Sequence, residues 1–373
     1  MVAETETSRA AQATPRWLIE RLLAWYDDHG RDLPWRAPAG EPSSPYQVLL
    51  SEYMLQQTTV ATVKPRFATF LARFPNLQAL AAADESDVLH AWQGLGYYRR
   101  ARALHACARA VVERHGAEVP DDEAALRALP GIGPYTASAI LAIAHGVPSV
   151  PVDSNVQRVM ARLHGIETPL PAAAAELGSL AGQLTCTDRP GAVAQALMDL
   201  GATVCRPRRP ACLVCPWRPA CRAHRAGTAE QLPRQGPERE RPLRRGLVFL
   251  LTRSDGAILF RRRPPGLLGG MHELPSSPWQ EGALDVDQAL AHAPATTRWD
   301  LHPGTLWHGF THFVLELTLA RGRIDGDAAL EAVAGALWCR PRDFDQLALP
   351  TLMKKVLRLA DITPSAGSGL PAK

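Results

Sequence analysis

Hydrophobic residues between about Trp17 and Leu200 recur at spacings of three and four, which is the period of an amphipathic helix. The run "RWLIERLLAWYDDHG" has this spacing and ends at a glycine, a common helix stop. The runs "YQVLLSEYMLQQTTVATVKPRFATFLARF" and "ESDVLHAWQGLGYYRRARALHACARAVVERHG" have it too, and strand-like alternation is absent. The pattern predicts an all-α domain over residues 17–225.

The pattern changes after Arg225. Residues 226–245, "AGTAEQLPRQGPERERPLRR", are rich in Pro, Gly and charge, which predicts a linker. The next stretch, "GLVFLLTRSDGAILFRRR", has two β-rich runs around a Ser-Asp-Gly turn, a hairpin signal. "GFTHFVLELTLARG" alternates like a strand, whereas "DAALEAVAGALW" and "LPTLMKKVLRLAD" are typical of helices. We therefore expect a smaller α+β domain over residues 246–362.

The chain is long and apolar enough to form more than one hydrophobic core. It has 373 residues, of which 46% are hydrophobic and 21% are charged. No apolar run is long enough for a membrane span, and the first residues lack the features of a secretory signal. Residues 1–16 and 363–373 are predicted to be disordered tails. The seven cysteines, an odd number, argue against a disulfide framework, so we expect a cytoplasmic protein.

Charge is concentrated in one segment. The formal net charge is only +4, but residues 205–263 contain fifteen arginines and four acidic residues, which gives this segment +11. Such a segment attracts polyanions, of which nucleic acid is the commonest. A solvated basic linker would have the same composition, and this interpretation applies to part of the segment.

A glycine-rich turn stands out in "LPGIGPYTASA", residues Leu129 to Ala139. Gly-Ile-Gly-Pro between two helices leaves backbone N–H groups open at a helix N-terminus, where a phosphate oxygen can bind. A tight connection that binds nothing has a similar sequence, so the turn alone leaves both interpretations open.

Four cysteines form the pattern C-x6-C-x2-C-x5-C within 17 residues. Four thiolates at this spacing can hold one [4Fe–4S] cluster, and structural zinc more often uses two C-x2–4-C pairs further apart. The spacing favours the cluster over zinc, with four unrelated cysteines as the third possibility. The ligands would be Cys205, Cys212, Cys215 and Cys221. The loop between the first two holds three arginines that could contact phosphates: Arg206, Arg208 and Arg209.

These motifs together resemble a known family. In order, "LSEYMLQQTTV", "GLGYYRRAR", "LPGIGPYTASAI", "VDSNVQRV", "ALMDLGATVC" and the four cysteines are similar to the helix-hairpin-helix DNA glycosylases of the endonuclease III superfamily. Within it the chain is most similar to the MutY family of adenine glycosylases, from about residue 17 to 360. The resemblance implies an iron–sulfur cluster and a hairpin that grips the DNA backbone through Leu129, Gly131, Gly133 and Thr136.

The resemblance also implies the catalytic residues. Glu52 would protonate N7 of adenine and then activate water, Asp153 would stabilise the cationic sugar, and Asn155 would orient water. Two carboxylates suffice to break a glycosidic bond. The residues flanking Glu52 are apolar, which would raise its pKa and keep it protonated near neutral pH. Without the resemblance, Glu52 is typical of a solvated helix face, and Asp153 or Ser154 of a helix cap.

Tyr135 occupies the position where bifunctional members of the superfamily carry a lysine. A phenol cannot form a Schiff base with the sugar, so this residue favours base removal without strand cleavage. In the family a tyrosine here shields and orients the reacting centre. A tyrosine that only packs is the alternative.

Base removal from a duplex requires that the base leave the stack. By the same resemblance, Gln57 and Tyr97 would fill the gap, and the adenine pocket would contain Trp35, Arg36 and Gln195. Taken alone, Gln57 is typical of a polar helix position and Tyr97 of a core aromatic residue.

The second domain resembles the Nudix-like domain of the same family through "RRRPPGLLGGMHELP" and "HGFTHFVLELTL". "GGMHELPSSPWQEGALDVDQAL" lacks the acidic metal ligands of a Nudix hydrolase, so hydrolase activity is not expected. In the family a Phe-Ser-His loop reads 8-oxoguanine opposite the adenine. This chain has Phe310, Thr311 and His312, which keep the hydroxyl and the imidazole. A histidine at a strand end that is satisfied by backbone is the alternative.

The sequence therefore predicts a monofunctional adenine glycosylase, monomeric and acting on A:8-oxoguanine or A:G mispairs in double-stranded DNA, associated with the nucleoid if bacterial. One rival is an endonuclease III-like lyase for oxidised pyrimidines, against which Tyr135 and the second domain argue. Another is a non-catalytic DNA-binding or redox protein, against which the presence of both Glu52 and Asp153 argues.

Overall fold

The computed structural model of the chain describes residues 15–38, 40–237, 240–264, 266–326 and 333–362. The chain divides into two compact units, Met1–Ala91 with Arg100–Glu238 and Trp92–Arg99 with Arg239–Lys373. Each has its own hydrophobic core. The predicted tails lie outside the described residues except for Pro15 and Arg16, which begin the first helix.

The first unit is helical, and local signals fix where its helices begin. Thr59, Asn76, Asp122 and Asp153 each cap a helix by accepting a backbone N–H, and several helices carry proline in their first turn. In chain order the helices are α1 Pro15–His29, α2 Pro45–Leu55, α3 Val60–Arg73, α4 Leu77–Ala82, α5 Glu85–Ala91, α6 Arg99–His115, α7 Glu123–Arg127, α8 Pro134–His145, α9 Ser154–His164, α10 Ala174–Gly182, α11 Pro190–Asp199 and α12 Arg222–Arg225.

Two of the long predicted helical runs are each divided in the structure. The first is interrupted between α2 and α3, where Gln57 has a φ of 55° and Thr59 starts a new helix. The second is interrupted between α5 and α6, where Gly94 and Gly96 have positive φ. A π-helical turn, Leu200–Val204, follows α11 directly.

The predicted linker is largely part of the first unit. Gly236 donates its N–H to the carbonyl of Leu170 at 2.9 Å, and Leu170 donates to the carbonyl of Arg234 at the same distance. Leu232 is buried. Composition suggested a loose segment, but backbone pairing and one apolar anchor order it up to residue 237.

The second unit is built on a mixed seven-stranded sheet. Its order is β3-β2-β1-β6-β5, with β4 paired to β1 and β7 to β2, and only the β1–β6 pair is parallel. One face packs against α14 (Thr351–Leu359), and a short helix, α13 (Val286–Leu290), lies against the other. The strands are β1 Leu243–Arg253, β2 Ile258–Arg262, β3 His272–Glu273, β4 Gln280–Glu281, β5 Trp299–Gly309, β6 Val314–Ile324 and β7 Ala336–Cys339.

The predicted hairpin, the alternating strand and the final helix are all present. The helix predicted over residues 327–338 is wrong at its end, because Ala336–Cys339 is strand β7, with Leu337 opposite Phe260 of β2. Residues 327–332 lie outside the described part. Pairing with an existing strand edge here overrides the alanine-rich local preference for helix. Within the described residues, no helix is both long and apolar enough to cross a membrane.

Candidate active site

Glu52 lies on α2 and is only 5% exposed. Burial raises the pKa of its carboxyl group from 4.5 to about 7, and the nearby charge of Asp153 adds to the rise. Interaction with the Tyr135 hydroxyl and the charge of Arg36 lower the pKa by less. The alternative of a solvated helix face is therefore wrong, and Glu52 is able to hold a proton near neutral pH.

Tyr135 and Asp153 approach the same carboxyl group. Tyr135 is the second residue of α8, and its hydroxyl contacts the sulfur of Met198 at 3.9 Å. Burial raises the pKa of Tyr135 well above 10, and the charges of Glu52 and Asp153 raise it further. The structure thus brings together a protonatable carboxyl group, a neutral phenol and a second carboxylate.

The two carboxylate oxygens of Asp153 accept different hydrogen bonds. Its Oδ1 atom accepts the backbone N–H of Val156 at 2.8 Å and caps α9, as the alternative interpretation predicted. Its Oδ2 atom accepts the side-chain amide of Asn155 at 2.6 Å. The cap fixes the carboxylate at the start of the helix, and Asn155 fixes its rotation.

Sequence reasoning missed Arg158, which holds Asn155. Its guanidinium donates to Oδ1 of Asn155 at 2.8 Å, to the carbonyl of Gly201 at 2.9 Å and to the carbonyl of Cys205 at 2.8 Å. Because Asn155 Oδ1 accepts this bond, the Asn155 amide is directed at Asp153. Arg158 thereby joins the candidate catalytic residues to the π-helical turn and the first of the four cysteines.

Gly201 makes close approach to Asn155 possible. A Cβ atom at position 201 would lie 2.7 Å from Cβ of Asn155. We expect Gly201→Ala to displace Asn155 and lower the single-turnover rate of the reaction at this candidate site about ten-fold or more. Gly178→Ala is the matched control, because nothing lies within 4 Å of a Cβ there. Equal rates for the two variants would contradict this role of Gly201.

Arg36 is held by a buried carboxylate that the sequence analysis also missed. Asp199 is fully buried and accepts two bonds from Arg36, at 2.7 and 2.8 Å, and one at 2.7 Å from the Arg31 side chain. Burial alone would raise the pKa of Asp199, but the hydrogen bonds and charges of these arginines lower it. The ion pair with Asp199 orients Arg36 and keeps its positive charge close enough to lower the pKa of Glu52.

Of the two other predicted pocket residues, Trp35 lies in a turn between α1 and α2, and Gln195 lies on α11. Trp35 is buried with its ring edge-on to Phe67, at 5.5 Å between centroids. Gln195 is partly buried on α11 and donates to the carbonyl of Gly191 at 3.2 Å. Their predicted contacts with adenine remain predictions.

The glycine-rich turn has the geometry that the sequence requires. Gly131 has a φ of 80°, and a Cβ atom there would lie 2.8 Å from Ala103 and 2.9 Å from Tyr53. Gly133 stands at the N-terminus of α8 with open space beside it. Leu129 and Thr136 are buried, so any contact of theirs with DNA would be made through the backbone, and the predicted binding of DNA by the hairpin stays a prediction.

The predicted wedge residues are both exposed and both have left-handed backbone conformations. Gln57 has a φ of 55° and lies beyond the end of α2, and Tyr97 has a φ of 46° and is 58% exposed. The alternatives, a polar helix position and a core aromatic residue, are therefore wrong. Such conformations are uncommon outside glycine and tend to occur at functional sites.

Comparison with known proteins assigns the family. The model of "HhH-GPD superfamily base excision DNA repair protein" matches residues 50–180, and that of the NUDIX domain matches residues 247–359. Human adenine DNA glycosylase is 34% identical over 397 aligned residues, which cover 91% of this chain and 73% of the human protein. The chain belongs to the adenine DNA glycosylase family. The family acts in base excision repair, and the predicted succession of a helix-hairpin-helix domain and a Nudix-like domain is confirmed.

Other relatives agree with this membership. The adenine DNA glycosylase of Mycolicibacterium smegmatis is 41% identical over 243 aligned residues, which cover 64% of this chain and 81% of that protein. Among solved structures, a thermostable thymine-DNA glycosylase has a TM-score of 0.52 and 28% identity, over 57% of this chain and 97% of its own. It matches only part of the chain, in keeping with the additional Nudix-like domain of this adenine glycosylase.

The cysteine loop of this adenine glycosylase is anchored from several sides. Arg162 of α9 is 2% exposed and donates to the carbonyl of Arg206 at 2.7 Å and that of Pro207 at 2.9 Å, and also contacts the sulfur of Cys205 at 3.3 Å. Trp217 is buried and donates to the carbonyl of Leu18 at 2.8 Å. These bonds hold the loop against α9 and α1.

The three arginines of the first loop are exposed but differ in their contacts. Arg206 donates to the carbonyl of Arg209 at 3.0 Å, which closes the loop. Arg209 has a φ of 47°, and its backbone N–H is accepted by Glu230 at 2.8 Å. The loop conformation is thus fixed by side chains as well as by backbone.

In the second unit, Thr311 and His312 are exposed at the turn between β5 and β6. The N–H of Phe310 donates to the carbonyl of Phe313 at 2.8 Å and closes the turn. His312 is exposed in this turn, two positions before β6 begins, and within the described residues no hydrogen bond of its side chain to the backbone is found.

Proposed function

We propose that this adenine glycosylase hydrolyses the N-glycosidic bond of adenine opposite 8-oxoguanine or guanine in duplex DNA and leaves the strand intact. The observation that carries the proposal is the meeting of Glu52, whose raised pKa lets it hold a proton near neutral pH, with Asp153 and Tyr135 in one site. Lysine is also scarce: the first 353 residues contain only Lys64, which is exposed and donates to the carbonyl of Asp32. The helical domain therefore offers no other lysine amine to attack the sugar.

The residues divide the work of the reaction. Glu52 donates its proton to the leaving adenine as the N-glycosidic bond breaks. Asp153, held by its cap and by Asn155, stabilises the positive charge that develops on the sugar. Water then adds to the sugar, and the Glu52 carboxylate takes up its proton. Tyr135 covers this centre and excludes bulk water.

The test is a panel of duplexes that carry A:8-oxoguanine, A:G or A:T, incubated with the enzyme and developed with and without alkali. We expect cleavage at the first two only after alkali, because the product is an abasic site. Cleavage without alkali would support the lyase alternative, and no cleavage on any duplex would support a non-catalytic protein.

We further propose that Cys205, Cys212, Cys215 and Cys221 hold a [4Fe–4S] cluster. All four thiols are partly exposed and free, and burial raises the pKa of Cys215 to about 12, with the other three thiols contributing. They therefore face a common space. Among the described residues, no three His, Cys, Asp or Glu side chains are grouped to hold a single metal ion, so the proposal is supported by the C-x6-C-x2-C-x5-C spacing and by membership of the family. The cluster would tie both ends of the loop together.

Metal analysis tests this assignment. We expect the purified protein to be brown and to contain about four irons per chain. Cys212→Ser should lose iron. It should also lose DNA affinity, because the cluster would no longer hold the loop that carries the three arginines. Cys186→Ser is the matched control, since Cys186 lies outside the pattern and is also free and partly exposed. One zinc and no iron per chain would contradict the proposal.

DNA would be bound by exposed backbone and by exposed side chains. We propose that the backbone at Gly131 and Gly133 binds a phosphate, together with Arg206, Arg208 and Arg209. Gln57 and Tyr97 would occupy the space left by the extruded base.

The Nudix-like domain would read the base opposite adenine through Phe310, Thr311 and His312. We expect His312→Ala to lower the preference for A:8-oxoguanine over A:G about ten-fold, because a specific polar contact to a base is worth roughly 1–3 kcal/mol. Single-turnover rates and affinities on both duplexes measure this preference. A variant that loses equally on both would show that the turn only supports the fold.

A further inference from the structure

The turn between β5 and β6, which carries Thr311 and His312, is packed on aromatic rings. Phe310 and Phe313 have centroids 4.7 Å apart, and Trp279 stacks on Phe310 at 5.8 Å with 29° between planes. Phe313 also contacts Trp279 at 6.3 Å. Thr311 and His312 are therefore carried by two rings that are packed on a third, which comes from a distant part of the sequence.

Trp279 is itself held by packing rather than by hydrogen bonding. Its indole N–H is buried and has no partner among the described residues. The guanidinium of Arg263 lies 4.5 Å from the ring centroid, and a Cβ at Gly246 would lie 3.0 Å from Cδ1. The ring is thus clamped between an arginine and a strand that passes at glycine.

Arg263 is fixed in turn by a buried carboxylate. Glu273 of β3 is 1% exposed and accepts bonds from Arg263 and, at 2.9 Å, from Arg261 of β2. Arg263 also donates to the carbonyl of Leu267 at 2.7 Å. A buried carboxylate between two arginines is costly to disturb, so the plane of Arg263 is well defined.

We propose that Trp279, clamped by the Glu273–Arg263 pair, is the positioning residue that sets the preference of this enzyme for 8-oxoguanine over guanine. It would act through the turn, without a contact of its own to either base. It determines where the Phe310–Phe313 turn presents Thr311 and His312. The inference rests on the proposed reading of 8-oxoguanine by that turn.

The test compares full-length variants by the ratio of single-turnover excision rates on A:8-oxoguanine and A:G duplexes. We expect Trp279→Ala to lower the ratio roughly three- to ten-fold, as loss of aromatic contacts implies. Trp279→Phe should restore most of it. Trp299→Ala is the matched control, because Trp299 packs on Phe249, away from the turn, and should cost thermal stability without changing the ratio.

Glu273→Gln keeps the volume of the carboxyl group and gives a second route to the result if Trp279→Ala folds poorly. We expect it to lower the ratio in the same direction by a smaller factor. His312→Ala, measured beside these variants, separates the possible failures. If His312→Ala lowers the ratio while Trp279→Ala and Glu273→Gln leave it unchanged, the positioning role is overturned. If His312→Ala also leaves the ratio unchanged, the proposed reading of 8-oxoguanine fails and the inference fails with it.

Discussion

Glu52→Gln is expected to lower adenine excision by about a thousand-fold or more, within the range that general acid catalysis supplies, while DNA binding persists. Glutamine keeps the shape of the side chain but has no acidic proton for the leaving base. The measurement is single-turnover excision on an A:8-oxoguanine duplex, with binding to the same duplex as the control. Near-normal excision by this variant would remove Glu52 from its role.

The pH dependence of the native enzyme follows from the same carboxyl group. Its pKa is about 7, and the acid is active when protonated, so the excision rate should fall as pH rises through 7. The folded-state pKa lies above the unfolded value, so folding takes up a proton, and the resulting stability is lost as pH rises from about 4.5 towards 7. The difference in thermal stability between Glu52→Gln and the native enzyme should therefore be more favourable to the variant at pH 8 than at pH 5. The same melting curves show that the variant is folded.

Asp153→Asn is expected to have the second-largest effect, a loss of excision on the order of a hundred- to a thousand-fold. Asparagine caps helices as well as aspartate does, so α9 should still begin at Ser154. What is lost is the negative charge beside the developing cationic sugar. Single-turnover excision measures the loss.

Asp122→Asn provides the control for this change. Asp122 caps α7 in the same way, at a position that is exposed and belongs to no candidate site. We expect it to leave excision unchanged. If Asp153→Asn retains the native rate, Asp153 is only a helix cap, and the charge on the sugar is stabilised by another group.

The resemblance to the family indicates Glu52 as the candidate acid, and the local sequence adds that its carboxyl group could be buried. Leu49, Leu50 and Met54 lie on the same helix as Glu52, and their apolar character already indicated a buried carboxyl group. The N-cap of α9 is equally local, since it depends on Asp153 and the three residues that follow.

Arg158 and Asp199 could not be assigned in this way. Arg158 reads as an ordinary polar residue of an amphipathic helix, and its partners Gly201 and Cys205 are more than forty positions away. Asp199 meets Arg36 across 163 positions. Such contacts form only when the chain folds, and the periodic pattern of hydrophobic residues does not predict them.

The sheet shows the same limit. The sequence does not predict strand β5, whose alternation is interrupted at His302–Gly304, where the pairing with β6 shifts register. Strand β7 was predicted as helix because its short sequence becomes a strand only by pairing with β2. Strands with a long regular alternation, such as β6, were found directly.

The most direct test of the central claim is one reaction in which free adenine and strand integrity are measured together. The native enzyme, in excess over an A:8-oxoguanine duplex at neutral pH, should release one adenine per duplex while the strand stays intact until alkali is added. A strand cut in step with adenine release, or no adenine released at all, would contradict the account.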